Sequence, residues 1–246
     1  MAQSSKNKQQ GELIFGAHSV LELLQQKRRK VIALYTTKPE PKIWASVEAF
    51  KPSYPINIQY VARDILTRMA GTTDHQGILA WAQPFPLRTR IFTPDKQPFI
   101  VLLDGIQDPR NMGAIIRSAY CTGVDGIVIV QQQSAPLSGT VHKASAGLAE
   151  RCQIYCASST PVAVQEIKKA GYALYLATFD GSDATAVEYK KPLCLVIGAE
   201  GTGVARSILS LGQHITLTQA AADVSYNASV AAGILMFTIT NALKKQ

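Results

Sequence analysis

Residues 193–203 read LCLVIGAEGTG, an apolar run that ends in a glycine-rich turn. Five apolar residues in succession are typical of a strand that is buried on both faces of a sheet. The glycines Gly198, Gly201 and Gly203 permit positive φ angles and close contact between the backbone and a ligand. Their order, G-x-x-G-x-G, differs from the G-x-G-x-x-G of dinucleotide-binding turns and argues against a dehydrogenase. The segment therefore predicts a buried strand that leads into a ligand-binding turn.

Similar apolar runs recur on both sides of this segment. The other predicted strands of this region cover residues 99–103, 126–130, 153–156, 173–178 and 214–218. Helix-like segments at 112–122, 160–170 and 204–211 alternate with several of them, and a long, largely apolar helix is predicted over 225–243. This alternation predicts an α/β fold with a parallel sheet that is covered on both faces. Because ligands of such sheets bind at the carboxyl ends of the strands, the residues after each strand are the candidate site residues.

The chain before residue 98 has shorter predicted elements. They are a helix within 14–24, a strand at 31–35, a helix at 43–50, a strand at 56–61 and a helix at 64–69. Residues 84–97 contain three prolines and three basic residues, a composition typical of a linker. We therefore predict a disordered tail at 1–10, a small α/β domain at 11–83, a linker at 84–97 and a larger α/β domain at 98–246.

Positive charge is concentrated in the first part of the chain. Residues 1–96 contain 14 Lys and Arg against 7 Asp and Glu, whereas residues 97–246 contain 11 against 10. A basic domain beside a near-neutral one is typical of a protein that binds a polyanion with the first domain and carries out catalysis with the second. Basic surfaces also increase solubility, so charge alone leaves both interpretations open. The run KRRK at 27–30 is accordingly either a phosphate contact or a solvated turn.

The composition excludes several classes of protein. With 47% hydrophobic and 17% charged residues in 246, the chain has enough apolar surface for a packed core and is not a mainly disordered protein. The four cysteines are scattered, which predicts reduced thiols and no metal site. No run approaches the ~20 apolar residues of a membrane span, and the N-terminal residues lack the apolar core of a signal peptide. We therefore expect a soluble, cytoplasmic protein.

Two further loops carry polar residues where strands end. After the strand at 99–103, Asn111 stands near the expected start of a helix, with Gly113 and Arg117 behind it. Asn111 is either a helix cap or a site residue. Helix starts favour anions, so Arg117 indicates either a solvated helix face or a site that receives phosphate. In the later loop, Ser225 and Asn227 precede the final helix and are likewise either caps or site residues.

The Asn111 segment, the glycine-rich turn and the Ser225 segment, taken in this order along the chain, resemble the SpoU, or TrmH-like, RNA ribose 2′-O-methyltransferases. The family pattern is an N-x-G-x-x-x-R loop, a G-x-E-G-x-G loop and an S-x-N turn before the final helix, and this chain has all three. The sequences DHQGI at 74–78 and FGAHSV at 15–20 are similar to the subgroup that methylates a guanosine of large-subunit ribosomal RNA. The resemblance extends over the whole chain.

The resemblance implies a C-terminal trefoil knot in the parallel sheet, with S-adenosylmethionine bound in the knot. Backbone groups at Gly198, Leu217 and Tyr226 would hold this cofactor. A homodimer through the final helix is also implied, together with a first domain that resembles a ribosomal protein and binds RNA. The catalytic residues that the resemblance implies are Asn111, Arg117, Glu200, Ser225 and Asn227.

The sequence does not identify the group that accepts the proton of the ribose hydroxyl. The resemblance suggests Arg117 as the acceptor, but a guanidinium has a pKa above about 12 and stays charged in proteins. We predict instead that Arg117 binds a phosphate of the target nucleotide and that its charge favours the developing alkoxide.

The third segment departs from the family pattern. The family usually has proline at the position of Thr218, methionine at Gln219, glycine at Ala221 and leucine at Tyr226. Loss of proline removes a rigid turn, and the larger Tyr226 changes the shape expected for the adenine pocket. Two alternatives stay open: a paralogue that binds RNA without transferring methyl groups, and an enzyme that acts on tRNA instead of ribosomal RNA.

Overall fold

The computed structural model describes residues 11–220 and 225–245. The chain divides into two compact units at the Pro86–Leu87 bond. The predicted tail at 1–10 and Ala221 of the third segment lie outside the described residues. Within the described ranges, no helix is long and apolar enough to cross a membrane.

Residues 11–86 form the small α/β domain that the sequence predicts. Its four strands are hydrogen-bonded in the order β1-β4-β2-β3, with β4 antiparallel to both neighbours and β3 parallel to β2. Apolar side chains of α1 and α2 form one core on the sheet, and α3 contributes to a second core. The elements are β1 (Glu12–Phe15), α1 (Ala17–Gln26), β2 (Val31–Thr36), α2 (Trp44–Ala49), β3 (Asn57–Tyr60), α3 (Arg63–Ala70) and β4 (Ile78–Ala82).

The segment DHQGI at 74–78 has a structural role in this domain. His75 is completely buried, and its Nδ1 accepts a hydrogen bond from the backbone N–H of Gly77 at 3.0 Å. The side-chain oxygen of Gln76 accepts from the backbone N–H of Ala17 at 3.0 Å, which ties this loop to the start of α1. These residues therefore hold the turn before β4 in place.

The second unit, residues 87–246, contains the predicted parallel sheet. Six strands lie in the order β10-β8-β9-β5-β6-β7, and every neighbouring pair is parallel, which confirms the α/β fold class. The strands are β5 (Phe99–Asp104), β6 (Gly126–Val130), β7 (Ile154–Ala157), β8 (Ala173–Asp183), β9 (Leu193–Gly198) and β10 (Gln213–Thr216). The helices are α4 (Pro109–Thr122), α5 (Gly139–Ala144), α6 (Thr160–Lys169) and α7 (Ala228–Lys244), with 3₁₀ turns at Leu148–Arg151 and Arg206–Leu211.

Both faces of this sheet are buried. On one face, Ile100 and Leu102 of β5 join a core with Val164 and Ile167 of α6 and with Ile208. Side chains alternate along a strand, so Val101 and Leu103 project to the opposite face, where they are also fully buried. Near this second face α4 lies close to α5, because a Cβ atom on Gly113 would come within 2.5 Å of the Cβ of Ala144.

The segment 84–97, for which the sequence predicts a linker, has most of its residues in the second compact unit. Residues from Leu87 onward belong to the second unit, and Arg88 forms a parallel bridge with Tyr155 of β7. Phe92 is completely buried in the core that contains Ile100 and Val128. Prolines suit this segment because it crosses the domain surface without regular hydrogen bonding. Phe92 anchors it, however, so that it is part of the second unit's fold.

Candidate active site

A cavity of about 360 Å³ opens at the carboxyl ends of β9 and β10, beside the middle of β8 and at the start of α7. Its position is the one expected for the ligand site of a parallel sheet. It is lined by residues from these three strands, from the turn after β9, from the segment before α7 and from α7 itself. They are Ala177, Thr178, Phe179, Ile197, Gly198, Ala199, Glu200, Gly203, Ile215, Thr216, Leu217, Gln219, Ser225, Tyr226, Asn227, Ala228, Ala231 and Leu235.

The turn after β9 is a tight backbone loop. Ala199 and Gly203 exchange two backbone hydrogen bonds, of 3.1 and 2.9 Å. A Cβ atom on Gly198 would lie 2.1 Å from the carbonyl carbon of Gly203, so this position has no room for a side chain. Gly203 has a φ of +66°, which glycine adopts without strain. The loop therefore presents bare backbone to the cavity, with Glu200 at its exposed tip.

Asn111 reaches this turn from a different part of the chain. The cap of α4 is Asp108, whose carboxylate accepts from the backbone N–H of Arg110 at 2.8 Å, with Pro109 as the first helical residue. Asn111 is thus not the cap. It lies in the first turn of α4, is 9% exposed, and its Nδ2 donates a hydrogen bond to Oε1 of Glu200. Two predicted site residues that are 89 positions apart are therefore in direct contact.

Sequence reasoning did not assign a role to Asp104, which accepts hydrogen bonds from two segments that follow strands of the sheet. Asp104 ends β5 and is 6% exposed. Its carboxylate accepts from the hydroxyl of Thr160 at the start of α6, and from the backbone N–H of Ala205 at 2.8 Å, just after the glycine turn. An aspartate at the carboxyl end of a central strand was the available signal, since such positions face the ligand edge of the sheet.

The third segment supplies the remaining wall of the cavity. Leu217 and Tyr226, to which the resemblance assigns cofactor binding, line the cavity, and Tyr226 is 46% exposed. Asn227 also lines it and at the same time caps α7, because its Oδ1 accepts from the backbone N–H of Ser229 at 2.9 Å and from the Ser229 hydroxyl at 2.6 Å. Ser225 lines the cavity and is exposed.

Thr218 is fixed by a carboxylate at the end of β8. Its hydroxyl donates to Oδ2 of Asp183 at 2.6 Å, and the hydroxyl of Thr185 donates to Oδ1 at 2.6 Å. These hydrogen bonds, first those from Thr185 and then that from Thr218, lower the pKa of Asp183 from 3.8 to about 2. The polar contact gives Thr218 a defined position where the family usually has a rigid proline.

Arg117 does not join these residues within one chain. It lies on α4 six residues after Asn111, which corresponds to about 9 Å along the helix axis and about one and two-thirds turns. Its side chain is exposed, and the described residues that line the cavity do not include it. The turn of the helix places Arg117 on a different face from Asn111, so Arg117 is not among the described residues that line the cavity with Glu200 and Asn227.

The chain matches two family models, one for each of its two units. Residues 98–237 match the model of the SpoU rRNA methylase family. Residues 13–87 match the model of an RNA 2′-O ribose methyltransferase substrate-binding domain. The matched residues of the first model include the whole cavity wall.

Several proteins are similar to this chain over nearly its full length. A TrmH family tRNA/rRNA methyltransferase of Bacillus subtilis, YacO, is 34% identical, with 94% of this chain and 96% of that protein covered. The 23S rRNA (guanosine-2′-O-)-methyltransferase RlmB of Escherichia coli is 29% identical over 92% and 96% of the two chains. The crystal structure of an AdoMet-bound rRNA methyltransferase from Sinorhizobium meliloti superimposes with a TM-score of 0.80 at 22% identity, covering 95% of this chain and 88% of that one. The chain belongs to the SpoU rRNA methylase family.

Proposed function

We propose that this protein transfers a methyl group from S-adenosylmethionine to a ribose 2′-hydroxyl of RNA, and that its substrate is a guanosine of large-subunit ribosomal RNA. The names of its relatives support the reaction and the substrate. The observation that carries the proposal is the Asn111–Glu200 contact at the edge of a cavity whose wall combines glycine backbone, apolar side chains and the polar side chains that precede α7. The expected location is the cytoplasm, where ribosomal RNA is found. The C-terminal knot stays a prediction.

The residues of the cavity fit the cofactor. The turn after β9 leaves backbone groups accessible because Gly198 and Gly203 carry no side chains. Ile197, Ile215 and Leu235 provide apolar walls for an uncharged ring. The volume of about 360 Å³ lies within the range of about 300–1,000 Å³ typical of small-molecule sites. We infer that Gly198, Leu217 and Tyr226 contact S-adenosylmethionine.

Bound S-adenosylmethionine supplies a methyl group that is already activated on a sulfonium, so the protein has mainly to align the ribose and stabilise its oxygen. We infer that Asn111 holds one oxygen of Glu200 and thereby fixes the direction of the other. That second oxygen, Oε2, accepts a hydrogen bond from the ribose 2′-hydroxyl. Ser225 and Asn227 lie at the same rim and position the sugar.

Arg117 does not line the cavity of its own chain, and we infer that it acts at the site of a second copy of the chain. The outer face of α7 carries apolar residues that are exposed in a single chain, with Val230 at 48%, Ile234 at 37% and Phe237 at 61%. These spacings place them on one side of the helix. α7 lies beside α4, because the hydroxyl of Thr240 donates to the carbonyl of Thr122 at 3.1 Å. We infer a homodimer through this surface, in which Arg117 binds the target phosphate at the partner's site.

Methyl transfer to ribosomal RNA tests the proposed reaction directly. We expect the purified protein to methylate ribosomal RNA from cells that lack it, at one ribose, which is mapped by protection from alkaline cleavage. Glu200→Gln keeps a hydrogen-bonding side chain but removes the charge. It should lower the rate by about 10²–10³ because the group that orients the nucleophile is weakened.

Calorimetry separates this function from its alternative. The wild-type protein should bind S-adenosylmethionine with measurable heat, and Glu200→Gln should bind it with similar affinity. A folded wild-type protein that binds RNA but gives no heat with S-adenosylmethionine would support the paralogue that only binds RNA, and would refute the proposed reaction.

A further inference from the structure

A second cavity, of about 420 Å³, lies in the first unit at the end of α1. Buried aliphatic side chains form its floor, and side chains from the segment after α2 form its wall. These residues are Leu23, Leu24, Val31, Phe50, Pro52 and Tyr54. The cavity is separate from the site described above, since all its residues belong to the small domain.

The aromatic wall of this cavity is held in position before any ligand arrives. The hydroxyl of Tyr54 accepts from the backbone N–H of Val31 at 2.8 Å and donates to the carbonyl of Val31 at 3.2 Å. This double contact fixes the ring against the start of β2. Phe50 is 41% exposed, although it is a large apolar residue. A flat apolar ligand could cover it without rearrangement of the backbone.

The rim of the cavity carries the net positive charge of the domain. Residues 11–86 contain nine Lys and Arg against six Asp and Glu, and four of the nine are the consecutive residues 27–30. Without that run, five basic residues would face six acidic ones. Arg29 points inward and pairs with Glu12, whereas Lys27 and Lys30 are exposed and Arg28 is half-buried. Three cations therefore surround the opening.

We propose that this cavity binds one unstacked nucleotide of a single-stranded RNA segment. The base stacks on Phe50, and Lys27, Arg28 and Lys30 bind the phosphates on either side. Stacking on an aromatic ring and backbone neutralisation by Lys and Arg are how proteins hold single strands without reading their sequence. A cavity of this size accommodates a nucleotide but is too small for the helix of a protein partner. The inference rests on the proposed function, because it takes RNA as the substrate.

The domain offers a matched control for each part of the site. Lys38 lies over the ring of Tyr60 at 4.4 Å, much as Lys30 lies over Tyr54 at 5.5 Å. Tyr60 is 45% exposed, close to the value for Phe50, but it does not line the cavity. Lys38 and Lys42 are as exposed as Lys27 and Lys30. Phe50→Leu can thus be compared with Tyr60→Leu, and K27A/K30A with K38A/K42A.

The experiment uses the full chain and a ten-residue oligouridylate with a central 4-thiouridine. Irradiation should crosslink the probe to peptides that contain residues 23–31 or 50–54. Phe50→Leu, which keeps apolar bulk, should weaken binding roughly tenfold through the loss of stacking, while Tyr60→Leu changes it less than twofold. K27A/K30A should reduce the slope of log affinity against log salt by about 1.4, or about 0.7 for each lost phosphate contact, and K38A/K42A should leave it unchanged.

The outcomes distinguish this inference from the proposed function. If the wild-type protein methylates ribosomal RNA but crosslinks only outside these peptides, or if Phe50→Leu and Tyr60→Leu behave alike, the nucleotide site is refuted and the methyltransferase stands. If the wild-type protein neither binds the probe nor methylates ribosomal RNA, both are refuted. Displacement of the probe by an acidic peptide as effectively as by RNA would also overturn the assignment.

Discussion

The distances around Gly198 predict what one added methyl group would do to stability and to cofactor binding. A Cβ atom there would lie 2.1 and 2.2 Å from backbone atoms of Gly203 and Val204, and backbone cannot rotate aside as a side chain can. We expect Gly198→Ala to lower the free energy of unfolding by about 1–3 kcal/mol through overpacking. It should also weaken S-adenosylmethionine binding at least tenfold, because the turn after β9 must move.

Gly201→Ala is the control for that substitution. A Cβ atom on Gly201 meets no atom within 4 Å, so thermal unfolding and calorimetry of this variant should match the wild type. Equal effects of the two substitutions would show that loop flexibility, and not the close approach at Gly198, governs cofactor binding.

The sequence names several residues that the structure places around one cavity, but it does not show which of them contact one another. Asn111, Glu200 and Asn227 gather because parallel strands end at one edge of a sheet, a rule that needs no coordinates. From the sequence alone, the role of Asn111 as a partner of Glu200 is not separable from capping, since the predicted start of a helix is uncertain by about two to four residues. Asp104 was missed because a carboxylate between two loops has no sequence spacing of its own.

At the scale of single elements, the turn after β10 shows how a hydrogen bond can fix a backbone position where the family usually has proline. Thr218 replaces the usual proline, and its hydrogen bond to Asp183 supplies a constraint that the ring would otherwise give. Thr218→Val removes the donor with little change in volume. We expect a several-fold weaker affinity for S-adenosylmethionine, measured by calorimetry, because Leu217 then loses its fixed neighbour. Thr93→Val, on the same unit but outside the cavity, is the control.

The same substitution should shift the titration of Asp183. The pKa of this carboxyl is lowered to about 2 in the folded chain, so its contribution to stability is present above its ordinary value of 3.8 and is lost as the pH falls through 2. Thr218→Val should raise the pKa towards 3.8, as followed by NMR of the carboxyl carbon. An unchanged pKa would mean that Thr185 alone holds the carboxylate.

Strands are harder to predict from sequence where their pairing with distant strands, and not the local pattern of apolar residues, determines the structure. The sequence places the last two residues of β1, Ile14 and Phe15, in a helix because they run into the apolar residues of α1, but Gly16, with a φ of +94°, separates the two elements. From the sequence, no strand is predicted at β4, which lies between β1 and β2 and is almost entirely buried. Pairing with two partners identifies β4 as a strand.

For the complete molecule, the inferred dimer predicts that two inactive proteins can rescue each other. Arg117→Ala should abolish methylation and Glu200→Gln should lower its rate by about 10²–10³, while RNA affinity changes little. When both variants are co-expressed, about half of the dimers are mixed. A mixed dimer contains one intact site if Arg117 acts on its partner, which gives about one quarter of wild-type activity.

Isolation of the mixed dimer by two affinity tags makes this measurement direct. No recovery of activity in a mixed dimer would place Arg117 at the site of its own chain. A monomer in sedimentation at all concentrations would exclude the shared site altogether, and would require another explanation for the exposed face of α7.

The cavity is built from residues far apart in the sequence, which determines when it can form during synthesis of the chain. Asp104 bonds to Ala205, and the wall is finished by Leu217, Tyr226 and Leu235. A nascent chain that has not passed these positions has a largely complete sheet but no donor pocket. An unfinished polypeptide therefore lacks the cavity that we propose for the methyl donor, and the cavity wall is complete only after Leu235 has been added.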